Sequence, residues 1–291
     1  MPKNKVARET NNMGLLWPNG KRIAVYVTGM LEVWSPGKGP EYTVQTTALH
    51  GSKDHGGIVW STYGGKIGVF RILRALNEFG IKGTFATNGM ITEAYPDAIA
   101  EIVRGGHEIA AHGVWQDEQI NTMTPEEQHK AIKQTLDMFE KATGKRPNGW
   151  MSQVLAFTPE TPDFLAQEGV RWWGDLKDID LPKMVRTQHG DLVAVPVCEF
   201  TDNRLLRGTP NDFFDIQKDT FDYLYNHEPM SILNILLHCQ WGGRPLIFAQ
   251  FRKLLEYISQ FEDVWFTTPS AIADWFVDQG LDGVPYRSRY F

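Results

Sequence analysis

KGTFATNGMITEAYPDAIAEIVRGGHEIAAHG, residues 82–113, is the stretch on which the fold turns. Lys82–Thr87 reads as a strand, Ala94–Arg104 as a helix stopped by Gly105 and Gly106, and Glu108–Ala111 as a second strand. Two strands joined through a helix need a crossover connection, so they lie parallel in one sheet.

The same alternation runs outward in both directions. Upstream, Arg22–Thr28 is an apolar strand, and Lys66–Phe79 carries Val69, Leu73 and Leu76 on one helical face before Gly80 ends it. Downstream, Thr124-Pro125-Glu126-Glu127 combines an N-cap, a proline at the first helical position and an acid three residues after the cap. Ile132, Leu136 and Phe139 form that helix's buried stripe, and Gly144 closes it. Thr158-Pro159 and Thr268-Pro269 repeat the starting device, for helices at Thr158–Glu168 and Pro269–Gln279. Further strands are expected at Gly149–Ser152, Val170–Trp173, Leu192–Val197, Ser231–Leu237 and Val264–Thr267, with helices at Asn211–Asn226 and Pro245–Gln260. Seven or eight short parallel strands usually close into a barrel. An open doubly wound sheet is the competing reading, but the glycine fingerprint of dinucleotide-binding sheets is absent: Gly37-Lys38-Gly39 and Gly64-Gly65 have neither its spacing nor its context. One barrel domain is expected over residues 21–280, with an N-terminal extension at 1–20 and a tail at 281–291. Residues 29–65 are too long for a bare connection and read as a functional loop over the barrel mouth or an oligomer contact.

Composition narrows the function. The 291 residues are 42% hydrophobic and 22% charged, enough for one sizeable core, and carry a formal net charge of −6. That balance points away from nucleic acid, and no polybasic segment addresses an anionic membrane. Cys198 and Cys239 are too few for a disulfide framework or a cysteine zinc site. The first twenty residues hold only the short apolar run Gly14–Trp17, so the expectation is a soluble, cytoplasmic protein.

Catalytic groups of a parallel barrel project from the C-terminal ends of its strands. Glu32, Asn88, His112, Ser152, Asp175, Glu199 and His238 all stand at or just past such ends. Trp115, Gln116, Gln153, Asp202, Gln240, Trp241 and Arg244 lie in the loops beyond. His112 and His238 each directly end an apolar run, which puts both imidazoles at the mouth. His107 precedes its strand and belongs to the opposite face, as a structural residue. Trp150, Trp172 and Trp173 read as packing.

GGHEIAAHG (Gly105–Gly113), preceded by KGTFATNG (Lys82–Gly89), resembles the polysaccharide deacetylase, or NodB-homology, superfamily. GKRPNGW (Gly144–Trp150), the Asp175 strand end, LLHCQWGGRP (Leu236–Pro245) and YGGKIGVFRILRAL (Tyr63–Leu76) extend the likeness. The last two are most similar to the branch of allantoinases and cyclic imidases. The resemblance implies a distorted (β/α)7 barrel over about residues 20–280. It also implies hydrolysis of a carbon–nitrogen bond, with His238 as general acid and Asp175 on the aspartate-bearing element. The family's aspartate pair at the end of the first strand is missing from VTGMLE (Val27–Glu32), where Glu32 is the nearest carboxylate. Of the family's two metal-binding histidines, His112 matches the first and Gln116 stands at the second, while Met151 occupies the place of an orienting arginine. A divalent ion such as zinc would have Glu32, His112 and Gln116 to hold it, an incomplete version of the usual Asp-His-His set.

These residues suggest a hydrolase of a small amide, cyclic imide or ureide. Glu32 or Asp175 would take a proton from water, His112 with Gln116 would hold the water or the oxyanion, and His238 would protonate the leaving nitrogen. Trp115, Trp241 and Arg244, with Ser152 and Glu199, would contact the substrate. A polysaccharide N-deacetylase and a catalytically altered barrel that binds a ligand or partner are the alternatives. The aromatic-rich long loop and the terminal VPYRSRYF (residues 284–291) would suit subunit contacts in a homo-oligomer.

Overall fold

Ile23–Leu31 (β1) organises the sheet, and all nine of its residues are buried. A computed structural model describes residues 15–41, 52–198, 201–204, 208–281 and 283–285. Successive strand side chains point to opposite faces, and β1 serves two cores accordingly. Ile23, Val25, Val27 and Leu31 join the layer between sheet and helices, while Ala24, Tyr26 and Met30 fill the interior of the curled sheet.

The remaining strands are Thr84–Thr87 (β2), Glu108–Ala111 (β3), Gly149–Trp150 (β4), Trp172–Trp173 (β5), Lys183–Thr187 (β6), Gly190–Ala194 (β7), Ser231–His238 (β8), Val264–Thr267 (β9) and Val284–Pro285 (β10). Their order is β10-β6-β7-β5-β4-β3-β2-β1-β8. One edge of β1 pairs with β8 along Ile23–Met30. The other edge is shared, with β9 against Ile23–Tyr26 and β2 against Thr28–Leu31. Around the sheet run the helices His55–Ser61 (α1), Val69–Glu78 (α2), Ile91–Ala94 (α3), Pro96–Arg104 (α4), Pro125–Thr143 (α5), Thr161–Gln167 (α6), Asn211–His227 (α7), Pro245–Ile258 (α8) and Pro269–Asp278 (α9). Among the described residues no helix is long and apolar enough to cross a membrane.

The expected α/β barrel of parallel strands is present, with differences that have physical causes. The sheet curls without a closing ladder among the described residues. Instead, side chains cross the gap: Tyr26 donates its hydroxyl to the Pro196 carbonyl, and Asn234 Oδ1 on β8 accepts from Cys198 N at 3.3 Å. β6 and β7 form an antiparallel hairpin around Gln188-His189 that the sequence reading does not contain. β1 continues three residues past Thr28, which brings Glu32 directly to its end. The Thr124 capping box and the left-handed Gly144 (φ 72°) stand as expected. Thr158, by contrast, does not cap α6: Glu160 is the N-cap, and Thr158 N donates to Thr161 Oγ1 at 2.9 Å. The long connection after β1 includes α1, and a single π-helical turn, Gly64–Gly68, leads into α2. Gly68 is required there, because a Cβ would stand 1.9 Å from the Cys239 carbonyl oxygen.

Candidate active site

Strand parity assembles the site. Glu32 follows Met30, His112 follows Ala110 and His238 follows Leu236 by two residues, and all three of those apolar residues belong to the interior core. Register then sets the height. Met30 is paired with His238, Leu31 with Thr87 and Thr87 with Ala111, so Glu32, His112 and His238 reach one level at the C-terminal rim. They are 4%, 1% and 9% exposed, so their charges act on one another through protein rather than water.

Glu32 stands between the two rings. Its Oε1 lies 3.9 Å from His112 Nε2 and 3.8 Å from His238 Nε2, while Gln240 Nε2 donates to Oε2 at 2.6 Å. The two nitrogen separations exceed a hydrogen bond, so neither ring is bonded directly to Glu32. His112 Nδ1 faces the Met151 carbonyl at 2.6 Å. A carbonyl only accepts, so Nδ1 carries the proton, and in the neutral ring Nε2 presents a lone pair. Burial lowers the His112 pKa below its ordinary 6.5 and favours that neutral form, although the Glu32 charge opposes the shift.

His238 is the opposite case. Burial again disfavours its charge, but Asp202 Oδ1 lies 2.6 Å from Nδ1, and with Glu32 it raises the pKa to about 9. Asp202 Oδ2 also accepts from His238 N at 2.7 Å, so one fully buried carboxylate fixes both the backbone and the ring. At neutral pH His238 is an imidazolium whose Nε2–H faces Glu32.

Asp175 sits apart from this contact set. Its Oδ1 accepts from Ser152 N at 2.8 Å and its Oδ2 from the Trp173 indole at 2.6 Å. Burial raises its pKa to about 6. Through Ser152 it steadies the segment whose Met151 carbonyl orients His112. Ser152 Oγ is turned to the Trp150 indole at 3.0 Å. Two residues further, Val154 and Leu155 have φ of 49° and 56°, a strained region for such side chains, and Val154 is exposed at the rim.

Gln116 is buried beside His112, and its Oε1 accepts from Asn88 Nδ2 at 3.4 Å. Asn88 also donates to the His112 carbonyl at 2.6 Å and accepts from Val33 N at 2.9 Å. With Ser35 N bonded to Asp117 Oδ1 at 2.7 Å, this pins the start of the long loop against the mouth. Trp115 is half-buried on the same rim, its carbonyl held by Gln153 Nε2 at 3.0 Å. Trp241 packs on Trp60 with ring centroids 4.4 Å apart, and Arg244 lies over Trp60 and Tyr63. Glu199 lies outside the described residues. The structure therefore joins Glu32, His112 and His238 directly and sets Asp175 behind them. Asp202 and Gln240 are the partners to which sequence reasoning assigned no role; their one signal was position just beyond strand ends.

The donor set does not fit a divalent metal of the expected kind. Gly29 and Met30 stand near the end of the first strand where no aspartate occurs, and an amide engaged by Asn88 replaces the second histidine. His112 Nε2, buried without a hydrogen-bond partner, is the one ligand atom left from that set. Among the described residues no group of three or more His, Cys, Asp or Glu is arranged to hold an ion.

Comparison with known proteins places these features in a lineage. The polysaccharide deacetylase family model matches residues 61–173. A peptidoglycan deacetylase from Helicobacter pylori is 23% identical over 251 residues, 74% of this chain and 85% of the relative. Among solved structures, an allantoinase superposes with a TM-score of 0.82 at 28% identity, covering 91% of this chain and 94% of the other. A Mycobacterium smegmatis protein classed with the polysaccharide deacetylases gives 0.78 at 25% identity, over 92% and 95%.

Proposed function

We propose, because this chain belongs to the polysaccharide deacetylase (NodB-homology) superfamily, that it is a hydrolase of carbon–nitrogen amide bonds whose substrate is a small amide, cyclic imide or ureide. The observation that carries the reading is Glu32 Oε1 flanked by two imidazole Nε2 atoms of opposite protonation at the C-terminal rim.

Glu32 and neutral His112 are both acceptors, so a water between them donates one hydrogen to each and turns its lone pair toward the substrate. As the water oxygen bonds to the acyl carbon, Glu32 takes its proton. The carbon–nitrogen bond then breaks, and the nitrogen leaves with the proton of His238 Nε2. Asp202 keeps that ring charged and oriented until the proton is needed. Gln240 fixes Glu32 by its other oxygen, so Oε1 stays aimed at the reacting groups. No step uses a metal, in line with the donor set. Trp60, Tyr63 and Trp241 cluster next to the loop that carries His238 and Gln240; aromatic walls of this kind suit a small planar substrate, and the allantoinase likeness supports the same class.

The Helicobacter relative favours a second reading, N-deacetylation of a peptidoglycan or polysaccharide. A panel of hydantoin, succinimide, allantoin and acetylated chitooligosaccharides, run before and after EDTA treatment, separates the two. Turnover of a cyclic or ureide substrate that survives chelation is expected. Turnover of the oligosaccharides alone would replace this reading by the second, and loss of activity on chelation would overturn the metal-free step.

A further inference from the structure

Arg244 is the N-cap residue of α8, yet its side chain caps nothing there. Its half-buried guanidinium lies 4.9 Å from the Trp60 ring centroid and 4.2 Å from that of Tyr63. Nε donates to the Gln240 carbonyl at 3.0 Å and Nη2 reaches the Trp60 carbonyl at 3.4 Å. Among the described residues no carboxylate pairs with it. Arg146, a surface arginine of similar exposure, has Asp137, Glu140 and Glu168 around it. Burying a cation costs free energy unless an anion or strong acceptors compensate.

A second unsatisfied donor belongs to the same loop. The Trp241 indole Nε1 is buried and has no acceptor, although its ring shares Trp60 with Arg244. The first turn of the fourteen-residue helix α8 adds N–H groups that its N-cap side chain leaves unsatisfied, at the positive end of the helix dipole. The same short loop carries His238 at one end and Arg244 at the other, and Gln240 touches both Arg244 and Glu32.

We propose that Arg244, the Trp241 indole and the first turn of α8 form a subsite for a carboxylate, so that the substrate is an acidic small amide or imide bearing a free carboxylate besides its scissile bond. This rests on the hydrolase reading for the identity of the bond, while the anion subsite stands on its own donors. A planar guanidinium held between two rings offers its remaining N–H edge to a carboxylate as a fork, which a neutral substrate cannot use.

The test compares hydantoin-5-acetic acid with hydantoin as substrates, and succinate with succinamide as ligands in thermal denaturation. The wild-type protein should show kcat/KM at least about tenfold higher for the acid, and a saturable rise in Tm with succinate only. R244Q should bring the kcat/KM ratio near one and abolish the succinate effect. R244K, which keeps the charge without the fork, should lose at least part of both and reads the same effect should R244Q fail to fold. W241F, which keeps the ring but removes the N–H, should weaken the succinate effect. Equal use of acid and neutral substrates by the wild type, or an R244Q protein that keeps the preference, overturns the subsite. If neither hydantoin turns over, the hydrolase reading is what fails. The succinate shift then decides the subsite: its loss in R244Q supports it, and its absence in the wild type overturns it.

Discussion

Each end of the barrel holds a buried histidine and a glutamate, and the two histidines behave in opposite ways. At the N-terminal end, His107 accepts a hydrogen bond from Gly83 N at 3.1 Å, and burial lowers its pKa to about 4. Glu108 beside it receives the Trp172 indole at 2.8 Å, Thr84 Oγ1 at 2.9 Å and the Ser270 hydroxyl, with its pKa raised by burial. At the C-terminal end the pKa of His238, also buried, is raised to about 9 by the Asp202 and Glu32 charges. The difference is Asp202. An opposite charge at hydrogen-bond distance outweighs desolvation at His238, whereas the neutral donors around Glu108 oppose the burial shift without reversing it. One end therefore carries polar groups as structure, and the other holds charge ready to move.

The largest expected effect breaks this difference outright. Asp202→Asn removes the charge that makes His238 an acid while keeping the shape. It should lower kcat/KM by about 10³-fold, and NMR titration should show the His238 pKa falling below 9. A His238 pKa unchanged in that variant would refute the assignment. Glu32→Gln leaves the fold and both histidines but removes the base. A loss of about 10²- to 10⁴-fold in kcat is expected, with the thermal midpoint near that of the wild type. Full activity there would transfer the base role elsewhere.

Stability against pH sharpens the comparison next. The folded pKa of His238 lies above 6.5, so its contribution is fully present below pH 6.5 and is lost as pH rises through about 9, an effect on the order of 3 kcal/mol. His107 has the opposite sign: its folded pKa lies below 6.5, so its stabilisation holds above pH 6.5 and disappears as pH falls toward about 4. Asp175, raised to about 6, contributes fully below 3.8 and loses its contribution as pH rises through 6. Urea denaturation at pH 5, 7 and 9.5 should show an alkaline loss in the wild type that is absent in Asp202→Asn. Activity should also fall above about pH 9 as His238 deprotonates. The smallest effect belongs to the far end. Glu108→Gln should leave kcat within about twofold and cost about 1 kcal/mol of stability, the worth of weakened hydrogen bonds; a large loss of kcat would mean the two ends are coupled.

Much of the fold was legible in advance because it rests on local signals. β3 and β9 have the expected boundaries, and the Thr124 capping box and the Thr268-Pro269 start lie where their residue types placed them. The β6–β7 hairpin was not legible: KMVRT is half polar, and Gln188-His189 lacks the residues that announce a tight turn. The sequence pattern ends β1 at Thr28, where Gly29 interrupts the apolar run, and so sets Glu32 four residues beyond the strand instead of directly at its end. The interruption is tolerated because Gly29 faces the Phe85 ring, which a Cβ would meet at 2.7 Å. Asp175 looked like a base from its strand end, but its carboxylate turned toward Ser152 and Trp173.

By itself the amino-acid order determined that parallel strands alternate with helices, and that His112 and His238 each end an apolar run at the mouth. Both follow from periodicity, which each residue shares with its near neighbours in the chain. Only the tertiary structure decided that Asp202, 36 residues from His238, would hold that ring, and that Gln240 would reach 208 residues back to Glu32. Each of those contacts starts from an irregular loop, where no repeat constrains a side chain and its partner is set by how the strands bring the loop to it.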